Sequence, residues 1–167
     1  MASSPAPERA PILTTVGLLV EAQAGLVAAA SKRLATAGHR AGQDFEVLLR
    51  LLRTPEHRLR MSDLAAQTTL TASGLTRAVD RLVRDGLVCR EACAEDRRVS
   101  YAQLTDAGEA EIRAALAVHL EQLEELFAPY EADELAALET TLRRLRDVLN
   151  PEAASASEAS AAADPEA

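Results

Sequence analysis

From Ile12 onward, large apolar side chains return every three or four residues. Ile12, Val16, Leu19, Val20, Val27, Ala30 and Leu34 share one stripe that ends near Gly38, which predicts a long amphipathic first helix. A second helix is expected from about Asp44, with Phe45, Leu48, Leu49 and Leu52 as its buried face. Pro55 closes it, because the residue before a proline disfavours helix. Two short helices follow, roughly 62–68 capped by Ser62 and roughly 72–85 capped by Thr71. Leu70 and Leu75 bracket the second cap with the spacing of a hydrophobic staple. Leu64, Leu70, Leu75 and Leu82 supply a small core, with Val79 facing inward, and Gly86 can take the left-handed conformation that stops the helix.

After Gly86 the apolar period shortens. Leu87 to Arg90 reads as a strand, 94–98 as a charged tip, and Val99 to Leu104 as the returning strand of a β-hairpin. Thr105 then caps a long helix running to about Phe127, and Pro129 interrupts it. A last helix from about Asp133 carries Leu135, Leu138, Leu142, Leu145 and Leu149 at helical steps. The expected fold is mainly α with a small β-hairpin wing: a winged helix-turn-helix over 58–104, joined to a helical dimerisation region from 12–57 and 105–149. Residues 1–11 and the acidic, Ala/Ser-rich stretch 150–167 lack the apolar groups that offset ordering entropy and read as disordered tails. The first helix and the Leu-rich pair at 106–149 carry more apolar surface than the wing domain can cover. A second copy of the chain is the expected cover; mutual burial within one chain is the alternative.

Composition sharpens this picture. The chain has 167 residues, 48% of them hydrophobic, and a formal net charge of −8, which by itself argues against a nucleic-acid partner. The distribution reverses that inference. Residues 58–100 hold eight arginines against six acids, whereas the remainder holds ten basic and twenty acidic groups. Aromatic residues make up only 2%, so stacking platforms for single-stranded nucleic acid are poorly supported. No uninterrupted apolar run of about 20 residues and no basic-then-apolar N-terminus is found, so neither membrane span nor secretory signal is expected. The expected location is the cytoplasm, in association with the nucleoid.

A short helix pair followed by a slim basic hairpin suits duplex DNA, since a helix fits the major groove and a loop reaches the neighbouring minor groove. On the second short helix, Ser73, Thr76, Arg77, Asp80, Arg81 and Arg84 face away from Leu75, Val79 and Leu82. Arg77 is the candidate base reader, because a guanidinium bonds guanine bidentately. Ser73 and Thr76 lie near the helix start, Gly74 removes bulk where DNA approaches, and Arg81 and Arg84 suit phosphates. Arg60, Ser62 and Thr71 complete the candidate set on the first helix and the turn. Asp80 is placed to pair with Arg77 or Arg84 and hold them. At the tip, Arg97 or Arg98 can enter a narrow minor groove, with Asp96 orienting one of them.

The stretches LRMSDLAAQTTLTASGLTRAVDRLVRDGLV (59–88) and EDRRVSYAQLTDAG (95–108) resemble the MarR family of bacterial transcription regulators. They match its helix-turn-helix, its D-x-R wing and the L-T-x-x-G opening of its next helix. The resemblance implies a two-fold homodimer built by the terminal helices and binding a pseudo-palindromic DNA operator. It further implies a small-molecule or redox effector, a small molecule of unknown identity being held in a cleft where the helices at 12–37, 44–54 and 106–127 converge; a repressor that blocks polymerase until the effector releases it is the simpler expectation.

Two other readings are open. Cys89 and Cys93 form C-x₃-C beside arginines that would lower a thiol pKa, so oxidation could distort the wing. The family's peroxide sensors carry their reactive cysteine in the first helix, which here has none. A helical protein-interaction module that does not bind DNA is the other alternative. His39, His57 and His119 show no ligand spacing, and HExxH, GxSxG, P-loop and GxGxxG patterns are missing, so neither metal, cofactor nor enzymatic activity is expected.

Overall fold

The computed structural model describes residues 10–92 and 99–149. Along the chain run α1 (Ala10–Thr36), α2 (Gln43–Leu52), a single 3₁₀ turn (Pro55–His57), β1 (Arg58–Arg60), α3 (Met61–Gln67), α4 (Ala72–Arg84), β2 (Val88–Ala92), β3 (Ser100–Leu104), α5 (Asp106–Phe127) and α6 (Ala132–Leu149). Helix α1 begins at Ala10, so residues 10 and 11 are helical and not part of the N-terminal tail expected over 1–11. Pro11 is tolerated there because first-turn N–H groups have no partner within the helix.

The wing is more than a hairpin. Strand β3 pairs antiparallel with β2, Cys89 opposite Gln103, and on its other edge with β1, Arg60 opposite Tyr101, giving a three-stranded sheet in the order β1-β3-β2. The expectation of two strands missed β1, which is three residues long with arginine at both ends. Its partner begins forty positions later in the chain, so no local pattern marks it.

The core lies where α2, α3, α4, α5 and the sheet meet. Leu48, Leu51, Val47, Leu64, Leu75, Ala78, Val79, Leu82, Val88, Ala102 and Ile112 are fully or almost fully buried in it. On α2 the inward face is Phe45, Val47, Leu48 and Leu51, whereas Leu49 and Leu52 are only half-buried. The helix is thus turned from the orientation that its leucine spacing suggested. Ser62 does not cap α3: it lies inside the helix and donates to Asp63 Oδ1, and Arg60 occupies the N-cap position with no side-chain bond that caps the helix. Thr71 does cap α4, accepting from the Gly74 N–H at 3.2 Å.

Helix α4 ends as Gly86 permits. With φ of 74°, Gly86 donates to Val83 O and Leu87 donates to Leu82 O at 3.1 and 2.9 Å, the two bonds of a Schellman stop. The same turn seats α5. Thr105 N–H donates to Leu87 O, its hydroxyl donates to Gly86 O at 2.7 Å, and that hydroxyl oxygen caps α5 by accepting from the Gly108 N–H at 3.0 Å. A Cβ on Gly108 would lie 1.9 Å from Leu87 O, so only glycine lets the two backbones meet.

Outside this core, α1 buries only Leu34. Ile12, Leu13, Val16, Leu18, Leu19, Val20, Leu26 and Val27 remain exposed, and α6 buries no residue. By length and composition, Pro11–Thr36 is apolar enough to cross a membrane, although Glu21 and Gln23 interrupt its apolar run. Sequence inspection for an uninterrupted run overlooked this.

Gly108→Ala tests the junction. It is expected to lose about 3 kcal/mol or fail to fold, since the clash is with backbone and cannot be relieved by a rotamer change. Urea unfolding of the variant at wild-type stability would show that α5 need not sit against Leu87.

Candidate nucleic-acid interface

The outward face of α4 is built by its inward one. Leu75, Ala78, Val79 and Leu82 bury one side, which leaves Ser73, Thr76, Arg77, Asp80 and Arg84 exposed on the other. Arg77 is held along its own helix, Nε donating to Ser73 O at 3.3 Å. Among the described residues neither Arg77 nor Arg84 has an ion-pair partner, so both guanidiniums face solvent ready for anionic oxygens or base edges. Thr76 Oγ1 donates to Ala72 O, and Thr71 Oγ1 lies 3.4 Å from Ser73 Oγ. The hydroxyls at the helix start are therefore ordered by the helix itself.

Two expectations, on Asp80 and Arg81, are corrected here. Asp80 pairs with neither Arg77 nor Arg84; its carboxylate lies 3.1 Å from Arg90 Nη1 on β2. Arg81 is not a free phosphate ligand. It reaches sideways to Asp44 on α2, Nη2 to Oδ1 at 2.6 Å and Nε to Oδ2 at 3.5 Å, and its pKa is raised chiefly by that hydrogen bond. Ser62 lies exposed on α3, with its hydroxyl turned to Asp63. Arg60 Nε donates to the Tyr101 hydroxyl at 3.1 Å, and the Arg58 guanidinium stacks on the same ring 3.8 Å from its centroid, an arrangement favourable for cation–π attraction. Asp96, Arg97, Arg98 and Cys93 lie outside the described residues. Cys89 is a half-buried free thiol on β2.

Sequence reasoning missed the supports. Besides Asp44, Glu46 on α2 accepts from both the N–H and the hydroxyl of Thr69, at 2.6 and 3.0 Å, and so pins the turn between α3 and α4. Arg58 pairs with Glu91 at 3.2 Å. The α2 carboxylates lie more than twenty residues from what they hold, beyond the reach of helical spacing rules.

The remaining charges tie the reading unit to α5. Glu111 accepts from the Arg40 N–H at 2.9 Å and lies 3.3 Å from His39 Nδ1, while the Arg40 side chain pairs with Asp85 at the end of α4. His57 and Glu109 approach at 3.6 Å, and the Glu109 carboxyl is held below its usual range mainly by the hydrogen bond from Arg113. His119 packs its ring edgewise on Phe45, and burial lowers its pKa. Among the described residues no group of three or more His, Cys, Asp or Glu side chains could hold a metal ion.

A family model described as MarR family matches residues 41–99, the span that holds α2, α3, α4 and β2. The DNA-complexed structure of Sco3205, a MarR family transcriptional regulator from Streptomyces coelicolor, is 26% identical and superposes with a TM-score of 0.77, covering 91% of this chain and 94% of its own. Over these residues, and in its fold, the chain is similar to the MarR family. The MarR variant from E. coli complexed with operator DNA is 25% identical, with a TM-score of 0.67 over 86% of this chain and 99% of that one. The transcriptional repressor YetL of Bacillus subtilis is 31% identical over 90 residues, 54% of either chain. The match thus spans about half the length of this curated relative.

His119 gives a pH test. Below about 6.5, its ordinary value, the unfolded chain takes up a proton that the folded chain resists, so stability falls with pH down to the lowered folded pKa. His119→Leu should remove this component. Urea midpoints from pH 8 to 5 are expected to fall less steeply for the variant, and parallel curves would show that His119 does not titrate differently on folding.

Proposed function

We propose that this protein is a MarR-family transcription regulator that binds a pseudo-palindromic sequence of double-stranded DNA as a two-fold homodimer. We further propose that it represses the promoter there until a small molecule releases it, and that it does so in the cytoplasm, on the nucleoid. The observation that carries the reading is the outward stripe of α4. Ser73, Arg77 and Arg84 are exposed, lack acidic partners among the described residues, and lie on the helix that leads into the wing. Arg77 reads a base edge and Arg84 meets phosphate, with Arg60 reaching the backbone from the base of the wing. The DNA in the Sco3205 and E. coli MarR complexes and the repressor name of YetL support this assignment.

The homodimer rests on the apolar faces of α1 and α6. A water-soluble monomer rarely leaves so much contiguous apolar surface uncovered, and a two-fold partner covers both helices at once. Effector release rests on two polar atoms of α5, His119 Nδ1 and Gln122 Oε1, both buried without a hydrogen-bond partner. They lie one turn apart, where α5 runs beside α1 and α2, and a small molecule with a polar group would satisfy them.

Two measurements test this. In DNA titrations, Arg77→Ala should lose about 1–3 kcal/mol of discrimination between the preferred and scrambled duplexes. Arg84→Ala should weaken both equally and lower the slope of log affinity against log salt by about one for each phosphate it no longer neutralises. Equal, unchanged binding in both variants would favour the interaction-module reading. Sedimentation should give twice the 17.8 kDa chain mass, and Val27→Glu, on the exposed α1 stripe, should shift it toward monomer; a wild-type monomer would overturn the dimer.

A further inference from the structure

Around α4, the residues on either side of the reading stripe are both engaged, and in opposite senses. At about 100° per residue, Arg81 lies about 40° to one side of Arg77 and Asp80 about 60° to the other. Arg81 is drawn to Asp44 on α2, and Asp80 to Arg90 on β2. The helix therefore offers a cation to the body on one flank and an anion to the wing on the other. Rolling α4 about its axis in one sense stretches the first pair, and rolling it in the other stretches the second.

We propose that Asp44, Arg81, Asp80 and Arg90 are positioning residues that fix the roll of α4, and with it the aim of Ser73, Arg77 and Arg84. Specificity then depends on four charges that need not touch DNA. The inference rests on the DNA-binding reading above and adds how that binding is made selective.

The two pairs differ in weight. Asp44 is a buried charged residue, its side chain 12% exposed, and both its oxygens face Arg81. Removing Arg81 would strand the Asp44 carboxylate where water cannot easily replace it, whereas Arg81 itself is 41% exposed; the buried carboxylate makes this pair the anchor. The Asp80–Arg90 contact is a single approach at 3.1 Å between side chains 50% and 35% exposed. It is screened by salt and sets the helix against the wing. Glu46, which holds Thr69, fixes where α4 begins. Start and anchor thus come from α2, and trim from β2.

The experiment begins with selection of duplexes from a randomised pool by the wild-type protein. Failure to enrich any sequence would overturn the DNA-binding reading and this inference with it. Given an enriched sequence, binding to it and to its scramble is measured for Asp44→Asn, Asp80→Asn, Arg90→Gln and the double variant Asp80→Asn with Arg90→Gln. Thermal melting is followed alongside.

Positioning predicts that the ratio of the two affinities falls about tenfold in each single variant, since misaim costs part of the discrimination of a base-reading arginine. The double variant should lose no more than either single one. A pure charge effect behaves differently: Asp80→Asn would tighten binding to both duplexes equally and Arg90→Gln would weaken both equally, leaving the ratio untouched. An unchanged ratio, or losses in the double variant that multiply, overturns the proposal. Should Asp44→Asn fail to fold, the more exposed Asp80–Arg90 pair decides alone.

Discussion

The meeting of two backbones at Gly108 and Leu87 is the constraint on which the arrangement depends. Helix α4 must stop, the chain must turn into the wing, and after the wing it must come back to the same place to start α5. One carbonyl, Leu87 O, receives the Thr105 N–H on this return, and Gly86 O receives the Thr105 hydroxyl. The missing side chain at Gly108 removes the only bulk that would keep them apart. Because Gly86 closes α4 and Thr105 opens α5, the recognition helix, the sheet and the longest core helix share a single joint. Displacement of α5 is then transmitted to the end of α4 directly, and through Glu111, Arg40 and Asp85 as well.

This joint was legible in the sequence, and the reason is local. Caps, stops and staples are written within four residues of where they act, so Thr71, Gly86 and Thr105 announced themselves. Helix limits followed from apolar spacing for the same reason. The face of α2 was read less well: four leucines in ten residues fit two helical stripes, and only packing against α4 and α5 chooses Val47 and Leu51 over Leu49 and Leu52. Strand β1 and the carboxylates Asp44 and Glu46 were invisible because each acts across a long stretch of chain. Asp80 shows the limit most clearly, since Arg77 and Arg84 stood at helical spacing from it and Arg90, reached through the fold, took the contact.

The acidic balance of the chain acquires a structural meaning here. A net charge of −8 would repel DNA if it were spread evenly over the surface. Instead acids lie beside arginines in and around the winged unit: Glu91 by Arg58, Asp44 by Arg81, Asp80 by Arg90, Asp85 by Arg40. Each pair takes a guanidinium out of competition for phosphate and uses it to lock one element against another. Arg77 and Arg84, which have no such partner among the described residues, stand on the face left open. Selectivity by this route costs non-specific affinity, because every neutralised arginine is one counterion-releasing contact fewer.

The same reasoning bears on the exposed apolar helices. An acidic body resists association with the acid-rich surface of another copy, so contact between copies needs a face where charge is scarce. The stripe of α1 is such a face: Val16, Leu19, Val20 and Val27 are exposed, with Glu21 the only charged residue between Pro11 and Ser31. Burying apolar surface there removes it from water without bringing carboxylates together, whereas pairing through the α4 face would set like charges together. Charge distribution thus separates two surfaces of the molecule, an apolar one at its ends and an arginine-bearing one in its middle.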